Sequence, residues 1–227
     1  MWPIIILGVL ILLLIVVVIL LCLPIWNEKP SKRRDKLVFK PTADMAGFYG
    51  EEVTKSHLKK LLKEDEFLLN NILLPLKNGH KTEIDSILIT HKGIFCIETK
   101  NWVGHISGKD EDEYWYQDYD DPSKGFREHK NPVKQNEHHC EILEKHLGNS
   151  FSIDNIVIFI DLEDGSNIDS NCAFSLEEFK NYYSSLNNDE LSTSEINQIY
   201  ERLRLYIASD IQLKEHCEDI QKRFNTQ

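Results

Sequence analysis

The hydrophobic pattern begins with one unbroken apolar stretch. Residues 4–23 are twenty consecutive apolar residues, about 30 Å long as a helix, which matches the hydrocarbon core of a bilayer. Trp2 and Trp26 flank the stretch, as interfacial aromatic residues do. A cleaved signal peptide would need a basic start and a small-x-small cleavage site, and neither is present. The pattern therefore predicts a retained transmembrane helix.

Beyond residue 26, apolar residues recur at helix or strand spacing in separate segments. After the segment 47–52, a spacing of three and four predicts a helix. Glu51 and Glu52 are expected in its first turn, where acidic groups suit the helix dipole. Runs rich in β-branched and aromatic residues predict strands at 67–75, 83–90, 94–100, 103–108, 113–117 and 155–160. The segment 118–130 is predicted to be a polar loop.

A second helix is predicted at 131–147. Asn131 followed by Pro132 fits an N-cap with proline at the first helical position. One face of this helix is expected to hold Val133, Asn136, Cys140, Leu143 and Leu147. The adjacent His138 and His139 cannot face one another on a helix, and both are expected at the surface.

The last third of the chain is predicted to be helical. Ser175 with Glu178, and Ser192 with Glu195, fit capping boxes. The order of elements predicts an α/β fold with a central mixed sheet flanked by helices. The expected organisation is a transmembrane anchor at 1–26, a basic juxtamembrane linker at 27–46, a folded domain at 47–160 and a helical C-terminal extension at 161–227.

The basic residues after the apolar stretch predict the orientation. The stretch is followed by Lys29, Lys32, Arg33, Arg34, Lys36 and Lys40. The positive-inside rule places this side in the cytoplasm, where the same residues also contact anionic headgroups. We therefore expect a single-pass protein of the cell membrane with its N-terminus outside and its folded domain in the cytoplasm. Singly scattered cysteines agree with a reducing compartment.

The remaining charge is strongly acidic. The net charge is −11, and the segment 28–40 contributes about +4, which leaves about −15 for the rest. A domain whose affinity depends on phosphate contacts is normally basic. Any nucleic-acid binding is therefore expected to be weak or assisted by a partner.

The candidate chemistry lies on the predicted hairpin 83–100. Alternate residues of a strand share a face, so Glu98 and Lys100 project together. A two-residue turn would place Asp85 opposite Lys100, and a four-residue turn would place it opposite Glu98; both keep all three on one face. Two carboxylates beside an ammonium suit a hard cation and a group that orients or deprotonates water. The alternative is that these strand-end charges form a solvated face.

The same residues belong to a longer series of motifs. The series is GFYGE at 47–51, TEID at 82–85, GIFCIETKN at 93–101, GHISG at 104–108 and NPVKQ at 131–135. In this order they resemble the nuclease-related domain, or NERD, of the PD-(D/E)xK nuclease superfamily, over residues 47–159. Ile84 is a departure, because the family often has Asp or Pro at that position.

The resemblance implies a restriction-endonuclease-like fold and a role for each site residue. Asp85 and Glu98 would be ligands of Mg²⁺ or Mn²⁺. Lys100 would position or activate the attacking water, Glu51 would supply a further carboxylate, and Gln135 would supply a polar contact.

The implied function is metal-dependent phosphodiester hydrolysis of nucleic acid, DNA in preference to RNA, at the lipid bilayer. The scaffold also permits a non-catalytic alternative, because a fold does not fix an activity. In that alternative the domain is a scaffold or sensor that binds a protein partner at the membrane. Self-association through the C-terminal helices is compatible with either function.

Overall fold

Two β-sheets and the helices around them make up residues 43–224, which are the residues that the computed structural model describes. The helices are α1 (Ala43–Lys59), α2 (Pro132–Leu147), α3 (Leu176–Ser185), α4 (Thr193–Leu203) and α5 (Asp210–Phe224). The strands are β1 (Phe67–Pro75), β2 (Lys81–Thr90), β3 (Gly93–Lys100), β4 (His105–Lys109), β5 (Tyr114–Asp118), β6 (Arg127–Lys130), β7 (Ile153–Phe159), β8 (Asn167–Asp169) and β9 (Ala173–Ser175).

The main sheet has the strand order β1-β2-β3-β7-β9. Its first three strands are antiparallel, and β7 and β9 run parallel to their neighbours. The second sheet has the order β6-β5-β4-β8. The predicted α/β class, a central mixed sheet with flanking helices, is confirmed.

Helices cover both faces of the main sheet. One face buries Ile87, Ile89 and Cys96 together with side chains of α2 and α4. The other face buries Leu88, Phe95 and Ile97 together with Leu58 and Phe179 of α1 and α3. Because both faces are covered, the central strands β2 and β3 are apolar runs with little exposed surface.

The local helix signals are confirmed at three places. Asn131 caps α2 by accepting hydrogen bonds from the amides of Val133 and Lys134, with Pro132 as the first helical residue. Both predicted capping boxes are present, at the starts of α3 and α4. The predicted apolar face of α2 is buried at all five positions.

Three predictions are wrong. Helix α1 is already helical at Ala43, so Glu51 and Glu52 lie in its middle and not in its first turn. The predicted loop 118–130 contains the strand β6, because its polar residues pair with the edge of β5. His139 is buried and not on the surface, since it packs over the main sheet one helical turn after Gln135.

The predicted membrane segment and most of the basic linker lie outside the described residues. Within the described range, no helix has the length and apolar character needed to span a bilayer. The predicted domain boundaries stay predictions.

Candidate nuclease-like site

The base of the β2–β3 hairpin brings the predicted carboxylates together. The pairing of Ser86 with Ile97, extended by one residue, places Asp85 opposite Glu98, which is the second of the two predicted registers. The amide of Thr99 donates a hydrogen bond of 2.9 Å to Asp85 Oδ2. Asp85 is therefore held against the last residues of β3.

The alternation of side chains between the two faces of the sheet is interrupted at this position. Leu69 and Ile72 of β1 belong to the same core cluster although they are three residues apart, and so do Ile84 and Ile87 of β2. The side-chain faces of both strands thus shift by one residue between these positions. Asn71, at the register position of Asp85, has a positive φ of 55° and forms no ladder pair there. The hydrogen-bond ladder between β1 and β2 is therefore interrupted directly beside Asp85.

Glu98, Lys100 and Gln135 form one closed hydrogen-bond network. Lys100 Nζ lies 2.6 Å from Glu98 Oε1, and the amide nitrogen of Gln135 donates to the same oxygen at 2.9 Å. Lys100 also donates to Gln135 Oε1 at 3.2 Å. Because Glu98 is only 5% exposed, these donors compensate for much of its lost hydration.

Buried asparagines fix α2 over the strands. Asn136 donates to the carbonyl oxygens of Cys96 and Ile156 at 2.8 and 3.1 Å, and its own carbonyl faces the Cys96 thiol. The side-chain amide of Asn131 donates to three carbonyl oxygens of the segment 109–112. These bonds set the position of Gln135, which lies between the two asparagines.

The surroundings of Asp85 oppose ionisation of its carboxyl group. Burial raises the pKa of its carboxyl well above the usual value, and the negative charges of Glu98 and Glu51 raise it further. The hydrogen bond from Thr99 and the charge of Lys100 act in the opposite direction. Perturbation of this kind is common at functional sites.

Helix α1 contributes a further acidic group. Gly50 crosses the end of β3 so closely that an added Cβ would lie 2.9 Å from Asn101 Cβ, and the next residue, Glu51, adds negative charge near Asp85. Lys55 Nζ lies 3.3 Å from Glu51 Oε2. Burial, Glu51 and Glu98 together raise the pKa of Glu83, so Glu83 is an acidic neighbour that the sequence analysis missed.

His139 is a second residue that the sequence analysis missed. Its Nδ1 lies 3.7 Å from Glu98 Oε2 and has no hydrogen-bond partner among residues 43–224. Burial lowers the pKa of the imidazole, which favours the neutral ring. The spacing of four from Gln135 was the available signal, because residues i and i+4 share a helix face.

Asp85 and Glu98 are oxygen donors of the kind that a hard divalent cation takes. Their carboxylates lie on one face of the sheet, and the pKa of Asp85 is raised first by burial and then by the neighbouring carboxylates, whose charge a cation would offset. Mg²⁺ is commonly held by one or two carboxylates together with waters and substrate phosphates. The predicted metal ligands and catalytic residues are thus brought together, and their roles stay predictions.

A separate polar cluster lies near the second sheet. His105, Asp120 and Glu163 are the group of three potential ligands, among the described residues, whose ligand atoms all lie within 4.8 Å of one another. His105 Nε2 lies 2.8 Å from Asp120 Oδ1, and this contact raises the pKa of the ring. The contact with Asp120 accounts for the Nε2 side of the ring, and the buried Nδ1 has no hydrogen-bond partner among the described residues.

The comparisons with known proteins agree with this geometry. The family model described as "Nuclease-related domain" matches residues 46–160, which include all the predicted site residues. The chain belongs to the nuclease-related domain family.

The chain is also similar to an uncharacterized protein of Bacillus anthracis. The two are 32% identical over 110 residues, which cover 48% of this chain and 50% of the relative. The chain therefore matches only about half the length of this curated relative. No solved structure matches the chain.

Proposed function

We propose that this protein is a metal-dependent nuclease, tethered to the cell membrane by residues 4–23, with its folded domain in the cytoplasm. The proposal rests on one hydrogen-bond network. Lys100 and Gln135 both donate to Glu98, next to the buried Asp85. Family membership supports the nuclease-related part. The order of the main sheet, with an antiparallel hairpin joined to a parallel strand, supports a restriction-endonuclease-like fold.

Asp85 and Glu98 would hold Mg²⁺ or Mn²⁺. When bound, the cation neutralises charge on the phosphate and lowers the pKa of a coordinated water. The protein residues around it bind and orient the substrate. We propose DNA in preference to RNA as the substrate.

Lys100 is the residue proposed to stabilise the developing charge. Its ammonium lies 2.6 Å from Glu98 Oε1, and its side chain is 16% exposed, so it is partly shielded from water and still reachable. A fixed positive group aimed at the developing oxyanion lowers the barrier of hydrolysis. Gln135 restrains Lys100 and Glu98 at once, and Glu51 adds an acidic group at the edge of the pocket.

Cleavage by the full-length chain tests the proposal. We expect Mg²⁺- or Mn²⁺-dependent cutting of DNA by the wild type, and its loss in Lys100→Ala and Asp85→Asn with folding retained. Lys92→Ala is the matched control, because Lys92 lies at the far end of the same hairpin, where it donates to Leu186 O. Undiminished cutting by both site variants would remove these residues from the mechanism.

The membrane part of the proposal is tested separately. The full-length chain should float with liposomes on a density gradient, and a variant with charged residues introduced into the segment 4–23 should not. In intact cells, a protease added outside should spare the folded domain. Digestion of that domain would contradict the proposed orientation.

The second candidate function is a non-catalytic scaffold or sensor that binds a protein partner at the membrane through its C-terminal region. Leu205 and Ile211 are 72% and 71% exposed, and Ile207 is half exposed, so apolar surface is available there. The candidate predicts no metal-dependent cleavage, and capture of a protein partner by the full-length chain that is lost in Leu205→Asp. Capture that is the same in both proteins would count against this candidate.

A further inference from the structure

Helix α2 carries a buried imidazole that the proposed mechanism does not use. His139 is 8% exposed, and its Nδ1 has no hydrogen-bond partner among residues 43–224. Glu98 Oε2 lies 3.7 Å from this nitrogen, which is too far for a hydrogen bond. A buried polar atom of this kind in a native protein calls for an explanation, such as a water, an ion or a catalytic role.

The two carboxylate oxygens of Glu98 face different groups. Lys100 and Gln135 both donate to Oε1, at 2.6 and 2.9 Å. His139 faces Oε2 instead. The donors to Oε1 therefore fix the carboxylate with its second oxygen directed toward the imidazole.

The path of α2 places His139 over the strand that carries Asp85. Gln135 contacts Glu98 on β3, and His146 Nε2 lies 3.1 Å from a backbone carbonyl oxygen at the end of β1. Strand β2 lies between β3 and β1. Because residues 135, 139 and 146 are separated by about whole helical turns, they share one face of α2. The imidazole between the two contacts therefore lies above β2, on the side of the sheet that holds both proposed carboxylate ligands.

The separation of His139 Nδ1 from Glu98 Oε2 suits one shared metal ion. A first-row transition ion such as Zn²⁺ bonds nitrogen and oxygen at about 2.0–2.2 Å, so two atoms 3.7 Å apart can both reach it. Imidazole is a common ligand of such ions, whereas Mg²⁺ is bound through oxygen and keeps several waters. Two carboxylates with one imidazole therefore discriminate against Mg²⁺.

We propose that His139 is a third metal ligand, through Nδ1, and that it makes the site selective for a first-row transition ion over Mg²⁺. This inference rests on the proposed metal site of Asp85 and Glu98, and it adds the class of ion that the site takes. Bound in this way, the ion joins α2 to the β2–β3 hairpin, which carries the two carboxylates.

Calorimetric titration of the full-length chain in detergent, with Mn²⁺ and with Mg²⁺ as probes, measures the selectivity. We expect the wild type to bind Mn²⁺ more tightly than Mg²⁺. His139→Leu, which fills the site without a ligand atom, should weaken Mn²⁺ binding by about tenfold or more and leave Mg²⁺ binding nearly unchanged. His138→Leu is the matched control, because His138 is exposed on the same helix. Absence of Mn²⁺ binding in the wild type, or an unchanged ratio of the two affinities in His139→Leu, would overturn the inference.

Pulsed electron paramagnetic resonance of bound Mn²⁺ identifies the donor atom in the wild type, without a variant that has to fold. A directly bonded ring nitrogen modulates the electron spin echo, and protein labelled with ¹⁵N-histidine should show the ¹⁵N coupling in place of the ¹⁴N coupling. The modulation should persist in His138→Leu and disappear in His139→Leu. A wild-type spectrum without histidine coupling, or a coupling that persists in His139→Leu, would contradict ligation by His139.

Cleavage assays on the same proteins distinguish this inference from the proposed function. Mn²⁺ bound through His139, without cutting of DNA, would keep the inference and remove the nuclease. Cutting supported equally by Mg²⁺ and Mn²⁺, with no histidine coupling to Mn²⁺, would keep the nuclease and remove His139 from the metal site.

Discussion

The two ends of the β2–β3 hairpin both carry ionisable groups, and the protein treats them differently. At the tip, His91 Nδ1 lies 2.8 Å from Leu191 O, and Nε2 lies 2.9 Å from Asp65 Oδ2. Both partners are acceptors, so the doubly protonated ring satisfies both. The hydrogen bond to the Leu191 carbonyl, followed by that to Asp65, raises the pKa of His91.

At the base, the environment opposes the charge that the side chain normally carries. Burial raises the pKa of Asp85 well above its usual value, and neighbouring carboxylates add to the effect. The tip therefore uses charge to attach the segment before α4 to the sheet, whereas the base holds a carboxyl group whose charge its surroundings disfavour. The difference separates an ionisable group that serves the fold from one whose perturbed pKa marks a candidate functional site.

Replacing Lys100 should produce the largest difference between the two ends. We expect Lys100→Ala to lower the cleavage rate by about 10²–10³-fold, because a fixed charge near the developing oxyanion is lost. Its melting temperature should also fall, because the buried Glu98 loses its ionic partner, so cleavage is measured at a temperature where the variant is folded. Lys92→Ala, at the tip, should cut normally, and equal rate losses in the two variants would erase the proposed distinction.

Metal binding should raise the free energy of unfolding only when the carboxylate of Asp85 is present at the base of the hairpin. With Mn²⁺ at about 100 times its dissociation constant, the free energy of unfolding should rise by about 2.7 kcal/mol in the wild type and remain unchanged in Asp85→Asn. Without metal, Asp85→Asn should be at least as stable as the wild type at neutral pH, because it removes a poorly solvated carboxylate. Thermal unfolding with and without metal measures both effects. A metal response that persists in Asp85→Asn would exclude Asp85 as a ligand.

The buried amide that positions the base can be tested next. Asn136→Ala removes the donor to the carbonyls of Cys96 and Ile156, and leaving buried acceptors unpaired should cost about 1–3 kcal/mol. Chemical denaturation gives the value. The exposed Asn197→Ala on α4 is the matched control, with an expected change within about 0.5 kcal/mol.

The smallest expected effect is the pH dependence of the stability that His91 contributes at the tip of the hairpin. The pKa of His91 is raised in the folded protein, so its stabilising contribution is complete below the unfolded value of about 6.5 and is lost as pH rises through the folded value. His91→Gln should cost at most about 1 kcal/mol at pH 5 and less above the folded pKa. If the destabilisation caused by His91→Gln grew with pH, protonated His91 would not be the group that joins Leu191 and Asp65.

Local patterns predicted a large part of the fold. The β-branched runs 83–90 and 94–100 form the central hairpin, and the capping signals at Asn131, Ser175 and Ser192 mark real helix starts. Strand β6 escaped prediction because its residues are polar and its pairing with β5 is not local. His139 escaped because helix position alone does not show what packs over a helix.

The order of residues is enough to predict that Glu98 shares a strand face with Lys100, and that Gln135 lies on a helix that begins near Asn131. These relations follow from the fixed periods of strands and helices. The fold is needed to show that Asp85 lies opposite Glu98, that Gln135 of α2 bonds to Glu98, and that Glu51 of α1 acts on Asp85. Register, helix docking and desolvation depend on contacts between residues distant in the chain, and no local period encodes them.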